Sequence, residues 1–212
     1  MQAGERALGA ETFEEITGHF WGFIESRPYM RAREGLAHVL WGLGEREAAI
    51  GHLQEMLRLN PNDNQGVRYN LASWLLAIGG EQELQQLDAL LKQFPEEGSA
   101  FWAYTTLLLI LRRNETGQAA DAALNAAMET NPFVPFYLLG ILPFPKQPPE
   151  YYGVGDQNEA VIYLEEGGVE AWIKREDDIA WLAEAVVRLA SPDLLGDDEP
   201  ARHRRGRPRK RK

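Results

Sequence analysis

The sequence predicts an all-α protein built from repeated pairs of helices. Two segments that begin at Arg33 and Arg68 share Arg, Leu, Ala, Leu and Gly at an offset of 35 residues. They end at Pro61 and Pro95, which lie 34 residues apart, and a third unit ends in the same way at Pro132. Two helices and their turns take about this many residues, so the recurrence favours a helical repeat over a fold that contains strands.

The apolar residues and glycines of the repeat fall where a helix pair requires them. In the first unit, Leu36, Ala37 and Leu40 share one face of a helix. Gly44 and Gly79 follow the first helices of two units, where a left-handed residue commonly ends a helix. A two-helix unit of this length is typical of the tetratricopeptide (TPR) repeat, which stacks into a right-handed superhelix. The predicted units cover residues 28–61, 64–95 and 98–132.

A short helix is predicted before the repeats. Thr12 and Glu15 have the spacing of a capping box, which predicts a helix that continues to about Glu25. Pro28 then fits the first turn of the first repeat helix. Residues 1–10 are predicted to be a disordered N-terminus.

The segment after the repeats is rich in proline. The prolines from Pro132 onward predict a wrap without regular helix until about Gly155. Asp156 is a predicted helix cap for a helix that ends near Glu166, and Asp178–Ala190 is a predicted amphipathic closing helix. The wrap and closing helices together cover residues 133–190, and residues 191–212 are a predicted disordered tail.

Charge is distributed very unevenly along the chain. The sequence has 22 Lys and Arg against 32 Asp and Glu, a net charge of −10. Residues 201–212 contain eight of the basic residues and no acidic one, so the preceding 200 residues carry a net charge of −18. An acidic body with a short basic end predicts two surfaces that prefer different partners.

Several classes of function find no support in the sequence. The absence of cysteine excludes disulfides, thiolate nucleophiles and iron–sulfur ligation. A metal site needs three or four converging ligands, whereas the histidines have single carboxylate neighbours at helical spacing. Phosphate-binding and nucleophile motifs are absent as well. We therefore expect no enzyme, no cofactor and no metal. The longest apolar run, residues 107–111, is too short to cross a membrane, and the expected location is the cytoplasm.

The first helix of each repeat unit is expected to line the concave side of the superhelix. Polar and aromatic side chains at these positions suit the backbone amides and anchoring side chains of a bound peptide. In the alternative, the flanking helices fill the groove and bury the tryptophans. The predicted groove residues are Arg31, Glu34, His38 and Trp41 of the first unit, Tyr69, Asn70 and Ser73 of the second, and Trp102, Thr105, Thr106 and Arg112 of the third.

Three motifs near the C-terminal end resemble those of one known family. They are Asn131-Pro-Phe-Val-Pro-Phe-Tyr-Leu-Leu139, Pro148-Pro-Glu-Tyr-Tyr152 and Gly155-Asp-Gln-Asn-Glu-Ala-Val161. Together with the helical repeats before them, they resemble the C-terminal part of the suppressor of tumorigenicity 7 family and bacterial TPR proteins with the same ending. Phe133 stands where that family usually has His. The resemblance implies a scaffold and offers no catalytic residues.

The basic end of the chain has the pattern of an AT-hook, a short segment that binds the minor groove of A·T-rich DNA. Arginine inserts where the minor-groove potential is most negative, while glycine and proline favour a close, extended fit. Three alternatives stay open. The segment could bind nucleic acid or an acidic surface without specificity, act as a nuclear-import signal, or contact the chain's own acidic body. The residues are Arg204, Arg205, Gly206, Arg207, Pro208, Arg209 and Lys210.

Two functional hypotheses follow from these patterns. The leading one is a non-enzymatic scaffold that holds a protein or peptide partner in the concave groove. The second is an adaptor that the basic tail tethers to DNA or RNA, which would place the protein at a nucleoid or in a nucleus. A regulatory subunit or remnant of a larger enzyme is a third interpretation.

Overall fold

The structure, a computed structural model, describes residues 1–190, and all regular elements in this part of the chain are helices. The prediction of an all-α fold is confirmed. The predicted tail, with its AT-hook-like segment, lies outside the described residues. The helices are α1 (Gln2–Leu8), α2 (Ala10–Ile16), α3 (Arg27–Leu43), α4 (Arg46–Leu59), α5 (Val67–Ile78), α6 (Glu81–Gln93), α7 (Ala100–Arg112), α8 (Gln118–Thr130), α9 (Val134–Leu138), α10 (Gln157–Tyr163), α11 (Val169–Ile173) and α12 (Glu176–Ala190).

Consecutive helices pack against one another in pairs. Helix α3 packs on α4, α5 on α6 and α7 on α8, while contacts of α4 with α5 and of α6 with α7 join one pair to the next. The side chains of Leu53, Leu87 and Leu107 are fully buried between these helices. Alanines allow the helix backbones to approach closely because they have no side chain beyond Cβ. The fully buried alanines of the pairs are Ala37, Ala49, Ala72, Ala100, Ala120 and Ala127.

Several helix ends form where the sequence predicts them. Pro28 lies in the first turn of α3, and Gly44 and Gly79 end α3 and α5 in the left-handed conformation, with φ of 87° and 69°. The carboxylate of Asp156 caps α10 by accepting a hydrogen bond from the backbone N–H of Glu159 at 2.8 Å. Backbone hydrogen bonds from Glu159 and Gly153 lower the pKa of Asp156.

Replacing Gly44 by Ala is expected to lower the free energy of unfolding by about 1 kcal/mol, because a side chain at this left-handed φ is strained. Gly42→Ala is the matched control. Gly42 lies inside α3, and a Cβ there meets nothing within 4 Å. The control should raise the free energy of unfolding by about 0.5–1 kcal/mol, because Ala is the better helix former. Urea unfolding measures both variants, and two shifts of the same sign would contradict the prediction.

The N-terminal region differs from its prediction. Residues 2–8 form α1 where disorder was predicted, because tertiary contacts hold this short helix in place. Gly4 lies against the ring of Tyr29, whose hydroxyl donates to Glu5 at 3.3 Å, and Glu5 lies 3.6 Å from the guanidinium of Arg33. The predicted capping box does not form. Thr12 lies inside α2, where its hydroxyl donates to a carbonyl one turn earlier, and the helix ends at Ile16.

The segment after the third pair also differs from its prediction. Helix α9 forms where prolines were predicted to exclude helix. Pro135 lies in its first turn, where a missing N–H removes no intrahelical hydrogen bond. Helix α10 ends at Tyr163, earlier than predicted, and continues into a wide turn at Leu164–Gly168. Gly168 permits this turn, because a Cβ there would lie 2.7 Å from the carbonyl oxygen of Tyr163.

Candidate functional site

The predicted groove residues lie on α3, α5 and α7, the first helix of each pair, and differ widely in exposure. Trp102, Thr105 and Arg112 of α7 are buried within the chain, so a ligand cannot reach them in this structure. Arg31 and His38 of α3 are exposed. The others are half-buried: Glu34, Trp41, Tyr69, Asn70, Ser73 and Thr106.

The C-terminal segment fills the groove along α7. The indole of Trp172 on α11 is fully buried, packs on the ring of Tyr104, and donates a hydrogen bond from Nε1 to the hydroxyl of Tyr163 at 3.1 Å. Arg112 forms an ion pair with Asp178 of α12, with 2.7 Å between Nε and Oδ2. The same guanidinium donates a hydrogen bond to the backbone carbonyl of Ala171, on α11, at 2.5 Å. At this end of the groove, the flanking helices therefore fill the space, as the alternative interpretation of the sequence expects.

Tyr69 is held by a network of charged groups. Its hydroxyl donates to Glu97 at 2.8 Å and accepts from Arg68 at 2.7 Å, and Arg68 also pairs with Asp63 at 3.0 Å. Burial and the hydrogen bond to Glu97 raise the pKa of Tyr69 to about 12. The phenol therefore stays neutral at physiological pH and serves to fix the beginning of α5.

Other predicted groove residues also have partners within the chain. The guanidinium of Arg31 lies over the ring of Trp21, 5.6 Å from its centroid. The carboxylate of Glu34 accepts a hydrogen bond from Gln65 at 2.7 Å, and the hydroxyl of Thr106 donates to a carbonyl of its own helix. Because of these contacts, Arg31, Glu34 and Thr106 are less available to a ligand than the sequence predicts.

The groove remains open between α5 and α11. A pocket of about 320 Å³ lies here, and its aromatic wall is a pair of stacked indoles, Trp41 and Trp74, with centroids 4.5 Å apart and planes 4° from parallel. The guanidinium of Arg46 lies 3.8 Å from the centroid of Trp41 and covers the face that Trp74 leaves uncovered. His38 meets the ring of Trp74 edge-on at 5.3 Å. The rest of the lining is Asn70, Ser73, Ala77, Glu166, Gly167, Glu170, Ala171 and Lys174.

The pocket holds polar groups that the described part of the chain leaves without partners. Within residues 1–190, the side chains of Asn70 and Ser73 make no hydrogen bond, and the carboxylates of Glu166 and Glu170 form no ion pair. Lys174 differs, because its ammonium donates to the carbonyl of Ala77 near the end of α5. Burial and the nearby charge of Arg112 lower the pKa of Lys174.

Trp74 is a site residue that the sequence analysis missed. It follows Asn70 by four positions on α5, and this spacing places both residues on one face of the helix. Trp41 lies on a different helix, α3, so the stacking of the two indoles could not be predicted from either helix alone. The four-residue spacing from Asn70 is the sequence signal from which Trp74 could have been predicted to line the groove.

A buried hydrogen-bond centre at Glu159 was not predicted from the sequence. Its Oε1 accepts from the backbone N–H of Ala100, the first residue of α7, at 3.0 Å. Its Oε2 accepts from the side-chain amide of Asn131 at 3.0 Å and from the backbone N–H of Gly155 at 2.6 Å. The carbonyl of Asn131 accepts from the hydroxyl of Tyr104 at 2.7 Å. These bonds join two of the motifs on which the family resemblance rests, and they anchor the segment that fills the groove.

Comparison of the chain with protein-family models, curated proteins and solved structures finds no match. In the part of the chain that the structure describes, no three His, Asp or Glu side chains are grouped so that they could hold a metal ion. No helix among residues 1–190 combines the length and apolar character needed to cross a membrane.

Proposed function

We propose that this protein is a TPR-type helical-repeat scaffold, without enzymatic activity, that binds an extended segment of a partner protein in the pocket between α5 and α11. The observation that carries the proposal is the pair of polar side chains, Asn70 and Ser73, that line the pocket without hydrogen-bond partners among residues 1–190. They lie beside the stacked indoles of Trp41 and Trp74.

The helix pairs and their period support the repeat part of the proposal. Three consecutive pairs of helices pack in chain order, and the sequence recurs at about the length of a TPR unit. The resemblance to the suppressor of tumorigenicity 7 family favours the same interpretation, because it implies a scaffold.

The chemistry of the pocket suits a peptide. A side-chain amide and a hydroxyl each donate and accept hydrogen bonds, as does the backbone of an extended segment. The indole edges of Trp41 and Trp74 offer apolar contact for one side chain of the segment. A volume of about 320 Å³ lies at the lower end of the range for ligand pockets, so one or two side chains would enter it.

Replacing both Asn70 and Ser73 by Ala is expected to weaken peptide binding at least tenfold, because two hydrogen bonds of about 1 kcal/mol each are lost. The test uses peptides selected from a random library against the wild-type chain, with affinities measured by fluorescence polarisation. The matched control replaces Gln54 and Gln86, two exposed amides that bond to each other on α4 and α6, by Ala. Equal affinities for wild type and the Asn70/Ser73 variant would refute the proposal.

Tethering to nucleic acid is a second candidate function. The observation that favours it is the run of eight basic residues within residues 201–212, which includes Arg-Gly-Arg-Pro. Such a segment binds polyanions with a steep dependence on salt. Because this segment lies outside the described residues, the adaptor hypothesis rests on the sequence alone.

A further inference from the structure

One wall of the pocket between α5 and α11 is acidic. Glu166, in the turn after α10, and Glu170, on α11, are both exposed and line the pocket opposite the helices that carry the indoles. Neither carboxylate pairs with a cation among residues 1–190. The one ammonium of the lining, that of Lys174, is bonded to a backbone carbonyl. The lining therefore carries two carboxylates against one ammonium, a net charge of −1, together with aromatic edges and two unbonded polar side chains.

This combination is chemically suited to arginine. A guanidinium forms two parallel hydrogen bonds to a carboxylate, and it also stacks on aromatic rings. Arg46 and Trp74 already cover the two faces of the Trp41 ring, so a further guanidinium would bond to the carboxylates and contact the indoles at their edges. Asn70 and Ser73 supply bonds to the backbone of a segment that carries arginines.

The chain itself contains a segment of this chemistry. Residues 1–190 have 28 acidic and 14 basic residues, whereas residues 201–212 have eight basic residues and no acidic one. We propose that residues 204–210 bind in the pocket of the same chain, with arginine side chains on Glu166 and Glu170. This inference concerns the regulation of the same pocket and rests on the proposed function.

The distances allow the segment to return to the pocket. Helix α12 begins two residues after Lys174, which lines the pocket, and its 15 residues extend about 22 Å. The 14 residues from Ala190 to Arg204 span up to about 46 Å when extended. A basic segment attached in this way meets the pocket at the high effective concentration of an intramolecular partner.

Occupation of the pocket by residues 204–210 has a regulatory consequence. A partner segment must displace the chain's own arginines, so its apparent affinity falls in proportion to the fraction of pockets that are free. An anion that binds the basic segment, such as a nucleic acid, would release the pocket. Binding of nucleic acid to the basic segment would then raise the apparent affinity of the pocket for a partner, and binding of a partner would favour nucleic-acid binding in the same way.

Paramagnetic broadening tests the proposal in the full chain. The natural sequence has no cysteine, so Ala201→Cys provides a single site for a spin label. Six tryptophans give separate indole N–H signals, and we expect the label to broaden those of Trp41 and Trp74 relative to that of Trp21. Signals of Trp41 and Trp74 that match Trp21 in intensity would overturn the proposal.

Charge variants and a mixing experiment decide how the segment binds. Glu166→Gln with Glu170→Gln should abolish the broadening, and so should Gln at the four arginines between 204 and 209. Glu165→Gln, at the exposed carboxylate beside the pocket, is the matched control and should leave the broadening in place. Broadening that survives the Glu166/Glu170 variant would overturn the proposal. So would broadening of isotope-labelled chains by spin-labelled chains added in trans.

The outcome separates this inference from the proposed function. If the selected peptides depend on Asn70 and Ser73 while the spin label broadens neither indole, the binding function stands and only the occupation by the chain's own segment fails. If the indole N–H signals of Trp41 and Trp74 broaden but peptide affinity does not depend on Asn70 and Ser73, the proposed binding of a partner segment in this pocket is refuted.

Discussion

Replacing Glu159 by Ala should lower the free energy of unfolding by about 4 kcal/mol, because buried hydrogen-bond donors lose their acceptor. The donors are the backbone N–H groups of Ala100 and Gly155 and the side-chain amide of Asn131. Glu159 is 4% exposed, so water does not replace the carboxylate without a rearrangement. Urea unfolding, followed by circular dichroism, gives the midpoint and the slope from which this loss is calculated.

Two further variants make the Glu159 experiment specific. Glu159→Gln keeps one carbonyl oxygen, so we expect a smaller loss than for Ala. Glu165→Ala removes an exposed carboxylate from the turn that follows α10, and should change the free energy of unfolding by less than about 0.5 kcal/mol. If Glu159→Ala were as mild as Glu165→Ala, the buried carboxylate would not anchor the C-terminal segment.

The second large effect is expected at the ion pair that joins α7 to α12. Arg112→Met leaves the buried carboxylate of Asp178 with only the more distant guanidinium of Arg175, 3.8 Å away, and Asp178→Leu leaves the buried guanidinium of Arg112 without a carboxylate. Each single variant should lose about 4 kcal/mol of unfolding free energy. The double variant should recover most of that loss, because apolar side chains can replace a buried pair. A double-mutant cycle measures the coupling, and additive losses would contradict this account.

The loss of unfolding free energy caused by Arg112→Met should also depend on pH. Burial raises the pKa of Asp178 in the folded chain, and the charge of Arg112 opposes that rise. Without the guanidinium the folded-state pKa rises further, so the folded variant takes up a proton more readily than the unfolded one. Its stability relative to wild type should therefore improve as pH falls from neutral through the folded-state pKa towards the ordinary carboxyl value. A deficit that is constant over this range would show that packing, and not charge, causes it.

The sequence predicts those parts of the fold that depend on neighbouring residues. Apolar spacing, Gly44, Gly79 and the cap at Asp156 are local signals, and the structure has helix ends at these places. The capping box at Thr12 was wrong because its spacing also occurs inside a helix, where the hydroxyl bonds to the preceding turn. The order of residues 2–8 depends on Tyr29, a contact that local patterns do not contain.

The groove was predicted only in part for a similar reason. The helical period identifies which faces of α3, α5 and α7 lie on one side, but it does not indicate what covers them. Trp172 and Asp178 come from a later segment and bury Arg112 and its neighbours. The stacking of Trp41 on Trp74 joins residues 33 positions apart, which no single-helix pattern reveals.

The bond between Asn131 and Glu159 has a consequence for how related chains can diverge. Because each side chain satisfies the other inside the protein, a substitution at one position leaves an unsatisfied group at the other. Substitutions at these two positions, which lie 28 residues apart in the sequence, are therefore coupled. Homologues should keep both or exchange both together, so an alignment would show them as a covarying pair.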